Sequence, residues 1–240
     1  MRRLTTTAEI LRAVIAAEPG GRTLPERLCD QCAEALPIKG VGLALMNDAG
    51  HQGVVATSDG VARVMEDLQF ALGEGPCVDA SSQRRPVLQP DLARTAYRLW
   101  PRFGPAVLAA GISAIFSFPL QVGAIRLGIL DLYREAPGPL SADELAEALR
   151  YADAAVVLLL HLQGGTLGDD LHPQLGSPVE QHAEVHQATG VIAVQAAVGL
   201  TEALLLLRGH AYAENRPILQ VAKEVLAGTL RIHLARSDDE

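Results

Sequence analysis

Between Gly164 and Pro178 the hydrophobic periodicity that runs through the rest of the chain stops: Gly, Pro, Asp and Thr follow one another with no recurrence at two or at three to four residues. Such a stretch is poorly suited to a packed core, because buried loop backbone would lose its hydrogen bonds. The chain is therefore read as two folding units, residues 1–163 and 179–236, joined by a linker over 164–178. Upstream the pattern mixes helix and strand periods; downstream it is helical alone.

In the first unit Ala8, Leu11 and Ile15 stand at helical spacing, and Pro19-Gly20-Gly21 ends that run. Thr23 to Glu26 is a capping box in which each side chain satisfies the other's free backbone donor. Leu24, Leu28, Cys32 and Ala35 then mark a buried stripe. Val41–Met46 and Val54–Thr57, separated by Asn47-Asp48-Ala49-Gly50, read as two strands and a hairpin turn. A helix is expected over Val61–Leu72, a short extended piece over Pro86–Gln89, and an antiparallel hairpin from Ile112–Leu120 and Arg126–Tyr133. In its first arm Ile112, Ala114, Phe116 and Phe118 share one face, with Ser113 and Ser117 on the other.

A second capping box, Ser141 to Glu144, opens a long helix with Leu145, Leu149, Ala152, Val156 and Leu159 at alternating steps of four and three. From Ala154 to Leu160 that helix is apolar on every side, so a stripe against its own sheet leaves apolar surface over. A homodimer contact is the simplest cover. The second unit reads as three helices: one to Val198, one after Thr201 as N-cap, and one near Pro217. Its expected core runs through Val185, Ala188, Ile192 and Ala196, then Ala203, Leu204, Leu207 and Ala211, then Ile218, Leu219, Ala222, Val225 and Leu226.

Charge narrows the function classes. With 20 basic and 28 acidic residues the formal charge is −8, so polyanion binding has to come from a local patch. No apolar stretch is long enough and free enough of polar residues to span a bilayer, and no secretory leader is recognisable; a cytoplasmic protein without membrane contact is expected. Three cysteines, an odd number, fit a reducing compartment.

Few motifs carry chemistry. Cys29-x-x-Cys32 lies mid-helix, where core packing is favoured over redox work, and Cys77 reads as a buried small hydrophobe. His182 and His186 have the spacing of a helical metal pair, but in the order His-x-Glu-x-His and without a third ligand, so no metal is assigned. Gly73-x-Gly75 lacks the remainder of a phosphate loop and is a turn. No nucleophile or acid/base signature points to an enzyme, and no cofactor is expected; His51, placed in a turn, is the one histidine of the strand region that haem could use. Arg208, Arg216 and Lys223 would make a phosphate-binding surface only if they gather on one side; a mixed, solvated face is the simpler reading.

Two segments resemble known modules. Gln187-Ala188-Thr189-Gly190-Val191-Ile192-Ala193-Val194-Gln195, Thr201-Glu202-Ala203 with Leu207-Arg208 and Ala211, and Asn215-Arg216-Pro217-Ile218 with Val221-Ala222 are similar to the ANTAR module of bacterial antitermination regulators. Gly73-Glu74-Gly75-Pro76-Cys77, Pro86-Val87 before Asp91-Leu92, Trp100-Pro101, Phe118-Pro119-Leu120 and Gly128–Tyr133 resemble a GAF sensor domain over about 22–163. The order of the two matches the GAF and ANTAR regulators of high-GC bacteria.

The resemblance implies an α+β fold, a GAF-like antiparallel sheet flanked by helices, followed by an all-α three-helix ANTAR module. It further implies a dimer that binds paired stem-loops of nascent RNA, so that an overlapping terminator cannot form, under control of a small-molecule or protein signal at the GAF domain. Gln187, Ala188, Thr189, Gly190, Arg208, Asn215, Arg216 and Lys223 are the contacts it suggests, with Ala188, Gly190, Ala203 and Ala211 allowing close backbone approach. Thr189 stands where many relatives carry Lys. The competing readings are a signal-responsive protein-interaction module that never touches RNA, and an enzyme using the GAF cavity.

Overall fold

The structure, a computed structural model, describes residues 6–17, 20–47, 50–164 and 182–232. It divides into two compact units, Met1–Pro178 and Val179–Glu240. Linker residues 165–178 and the hairpin-turn pair 48–49 lie outside the described residues.

The first unit is built on five strands, β1 (Gly40–Asn47), β2 (Gly50–Thr57), β3 (Val87–Gln89), β4 (Ala114–Val122) and β5 (Ile125–Arg134), in the order β2-β1-β5-β4-β3. Every neighbouring pair is antiparallel. Helices α1 (Thr7–Ala16), α2 (Leu24–Ala35) and α7 (Ala142–Gly164) cover one face. The other carries α3 (Gly60–Leu72), α4 (Pro76–Gln83), α5 (Leu92–Leu99) and α6 (Phe103–Ala109). Both hairpins pair as read from the sequence, with β2 starting at Gly50 rather than Val54, and both capping boxes are present: Thr23 Oγ1 accepts from Glu26 N at 3.4 Å, and Ser141 Oγ from Glu144 N at 3.2 Å. A third box, Thr6 with Glu9, opens α1.

Because both faces of the sheet are covered, its strands are buried on both sides. Leu130 and Leu132 of β5 join the layer of α1, α2 and α7; Ile129 and Tyr133 join the opposite layer. Ser117, on the face opposite Phe116 and Phe118, is therefore buried rather than solvated. His51, expected in a turn, lies within β2 and is buried. The stripe expected along α7 splits: Ala152 and Leu159 face the sheet while Leu149 is 43% exposed. Helices α4, α5 and α6 have no counterpart in the sequence reading.

The second unit consists of α8 (Ala183–Ala196), α9 (Leu200–Ala213) and α10 (Ile218–Leu226). Val185, Ala188, Ile192, Ala203, Leu204, Leu207, Ala211, Ile218, Ala222 and Val225 are buried as expected. Val221 is buried where Leu219 was expected, and Leu226 is partly exposed. Gly199, not Thr201, is the N-cap of α9, so this end has no side-chain cap. Among the described residues no single helix is long and apolar enough to cross a membrane.

Candidate functional site

The face of the sheet beneath α3 holds a cluster of polar side chains with almost no access to solvent. Glu66 and Gln69 enter from α3, Asp131 and Tyr133 from β5, and His51 from β2. The Tyr133 hydroxyl donates to Glu66 Oε1 at 2.8 Å, and Gln69 Nε2 donates to Asp131 Oδ2 at 2.7 Å and towards the Tyr133 oxygen at 3.1 Å. His51 Nε2 lies 3.7 Å from Glu66 Oε2, and its ring meets Phe70 edge-on at 5.3 Å. Glu66 Oε2 and Asp131 Oδ1 are buried and make no close hydrogen bond among the described residues, although Ser117 adjoins Asp131 across the sheet and acts to lower it.

Two carboxyl groups so placed cannot both ionise cheaply. Burial pushes Glu66 up to about 7, partly opposed by its bonds to Tyr133 and Asp131. Burial and the neighbouring Glu66 also raise Asp131, and burial with the same negative neighbours raises Tyr133. The arrangement favours keeping a proton on Glu66 near neutrality, with the carboxyl groups shut away from solvent.

Local sequence makes room for the cluster. A β-carbon at Gly42 of β1 would lie 1.9 Å from Glu66 Oε1, and one at Gly75 would lie 2.4 Å from Gln69 Oε1. Gly75 also has φ +136°, which favours glycine. The Cys77 backbone N–H donates to Gln69 Oε1 at 2.9 Å, tying the start of α4 to the cluster. Glu74 accepts from Arg102 N at 2.9 Å, Arg102 Nε at 2.8 Å and Phe103 N at 3.2 Å. Although its burial acts to raise it, these bonds hold Glu74 below the usual carboxylate range. The Gly73–Cys77 motif thus shapes the cluster and anchors the entry to α6.

The sequence reading missed this cluster. Its signal was nevertheless present: Asp131 interrupts an apolar strand, and Glu66 and Gln69 lie between Met65 and Phe70 on the buried side of α3. Cys29, Cys32 and Cys77 are buried and form no disulfide among the described residues, and burial raises the thiols of Cys29 and Cys32. No group of three or more His, Cys, Asp or Glu among the described residues could hold a metal ion.

In the second unit the expected RNA contacts separate into two sets. Ala188 and Thr189, expected at the contact surface, are buried because they fill the helix-packing core; the Thr189 hydroxyl donates to Val185 O of its own helix at 2.7 Å. Ala203 and Ala211, expected to permit close RNA approach, are likewise core residues. Gln187 is exposed and lines an open hollow with Gly190, Val191, Val194, Gln195 and Leu226. Nothing stands within 4 Å of a β-carbon built on Gly190.

Asn215 is exposed with φ +52° and terminates α9: its N–H bonds Tyr212 O, and the Arg216 N–H bonds Ala211 O at 2.9 Å. This is a Schellman ending, which gives the Asn-Arg stop a structural cause. Arg216 pairs with Glu224 and, at 2.9 Å, with Glu214; both raise its already high pKa. Lys223 Nζ is 4.0 Å from Glu184, and Arg208 is half-buried on α9.

A model of the GAF domain family matches residues 22–161. The chain is similar in structure to the GAF domain of a phosphoenolpyruvate-protein phosphotransferase from Acinetobacter, at 10% identity over 68% of this chain and 95% of that one, with a TM-score of 0.50. It is also similar to the GAF domain of the corresponding protein from Coxiella burnetii, at 18% identity over 67% and 96%, with a TM-score of 0.48. A third is the GAF domain of a two-component sensor histidine kinase from Bacillus halodurans, at 14% identity over 68% and 100%, with a TM-score of 0.45. At these identities the likeness is one of fold. No curated protein matches the chain.

Proposed function

The chain belongs to the GAF domain family, and from that premise we propose that it is a signal-responsive regulator rather than an enzyme. The GAF unit perceives a small molecule or a protein signal, and the helical unit over 182–232 carries the output. It works as a cytoplasmic homodimer, with 164–178 as the link between sensing and output. The observation that supports this reading is the pairing of a GAF match with a separate three-helix unit in one chain. The buried carboxyl cluster is the candidate receiver, because two of its carboxyl oxygens make no close hydrogen bond and would gain from a hydrogen-bond-donating ligand.

For the output, the charge arrangement favours docking on a protein. Arg216 is engaged by Glu214 and Glu224, and Lys223 has Glu184 close by. Val194, Leu200, Leu205 and Tyr212 are all more than half exposed. The reading of the unit as an ANTAR module binding paired stem-loops of nascent RNA is supported by the residue order given above and by the surface positions of Gln187 and Asn215. In that reading Gln187, Gly190, Arg208, Asn215, Arg216 and Lys223 are the contacts, while Ala188 and Thr189 hold the helices that present them.

Gel shifts with paired stem-loop RNA at rising salt separate the two outputs. A salt-sensitive complex weakened by Arg208→Ala and Arg216→Ala supports RNA; no complex, or one indifferent to both changes, supports a protein partner. Native mass spectrometry of the purified protein tests the sensing role by reporting retained ligand.

A further inference from the structure

We propose that the outer face of α7 and the groove beside it form the homodimer interface, with Arg84 of each copy engaging Asp153 of the other. The inference deepens the homodimeric part of the reading above and rests on it. Helix α7 has a second row at coiled-coil spacing, Leu149, Asp153, Val156 and Leu160, in steps of four, three and four. The inner row of Tyr151, Ala155, Leu158 and Leu162 is buried, whereas Leu149 and Leu160 are each 43% exposed and neighbouring Val157 is 46% exposed.

Beside this outer row runs a groove of about 200 Å³. Its apolar lining includes Pro86, Phe118, Pro119, Leu149 and Val156, and its charged lining is Arg84 and Asp153. Both charged side chains are exposed, and neither has an ion-pair or hydrogen-bond partner within the described residues. An apolar floor carrying one unpaired charge of each sign is self-complementary. A two-fold axis that places one copy's Arg84 at the other's Asp153 makes the reciprocal pair as well. A partner of different sequence would need a matched acid and base of its own; a second copy supplies both. This charge complementarity commits the groove to a second copy of the chain.

The test uses the full chain. Sedimentation equilibrium should give twice the 25.4 kDa chain mass. Asp153→Arg and Arg84→Asp should each weaken the dimer by roughly tenfold or more, because each replaces two attractions by two repulsions. The double variant Arg84→Asp/Asp153→Arg should restore it. Both positions are exposed, so far-ultraviolet circular dichroism at room temperature should stay at the wild-type value and separate lost assembly from lost folding, while the melting temperature falls only by the association contribution. A monomeric wild type overturns this interface and the homodimeric reading together. A dimer indifferent to both single reversals, or one not restored by the double reversal, overturns this interface alone.

Discussion

The Glu66 carboxyl group lies so close over Gly42 that any side chain at position 42 would occupy the space of its Oε1 atom. The two residues are 24 positions apart on different elements, and the absence of one side chain is what admits the other. Gly42→Ala should therefore destabilise the first unit by about 1–3 kcal/mol through overpacking, lowering its melting temperature by roughly 2–10 °C. Combining it with Glu66→Ala should recover part of the loss. A double-mutant cycle read by thermal melts checks the coupling, and strict additivity would refute the contact.

The buried carboxyl pair makes stability depend on pH. Glu66 is raised from 4.5 to about 7 in the folded chain, so between those values the folded state holds a proton that the unfolded state releases. Its contribution is fully present below about pH 4.5 and is lost as pH rises through about 7, by on the order of 3 kcal/mol. Glu66→Gln should remove this slope, making the variant gain on the wild type between pH 5 and pH 8, values spanning roughly the window set by the two pKa values. Urea melts at the two pH values measure it; parallel slopes would count against a proton at this site.

Thiol chemistry should distinguish native from unfolded protein. Cys29, Cys32 and Cys77 are buried, and burial disfavours the reactive thiolate at Cys29 and Cys32. A thiol-specific chromogenic reagent should find almost no reactive group in the native chain and all three after denaturation. Rapid native labelling at Cys29 or Cys32 would contradict the packing of α2.

Loss of the Ser141 cap should loosen α7. The Ser141 N–H donates to Glu144 Oε2 at 2.7 Å and its hydroxyl oxygen accepts from Glu144 N, so Ser141→Ala removes one half of the box. A cost of about 1 kcal/mol is expected, visible as a drop of roughly 2–4 °C in melting temperature.

The legible parts of this chain were those written locally. The capping boxes, the hairpin partners and the long helix each sit within a few residues or follow a period that one segment displays by itself. The short helices α4, α5 and α6 span only two turns or so and sit among Gly, Pro and Trp, too brief for a period to emerge. The buried polar cluster escaped for the opposite reason: His51, Glu66 and Asp131 meet only after the sheet has formed, across separations that no spacing rule reads. Ala188 and Thr189 show the limit of a resemblance, which preserves residue order but does not say whether a small side chain is kept for a partner or for the neighbouring helix. Asn215 has a sufficient local cause in the ending of α9, so its place in that order requires no partner to explain it.

In β5, Asp131 points into the polar cluster while Leu130 and Leu132, on either side of it, point into the layer that contains α7. The strand therefore joins the two faces through one backbone: a group that drew on the Asp131 carboxylate would shift, across a single peptide unit on either side, two leucines seated in the layer on which the outgoing helix rests.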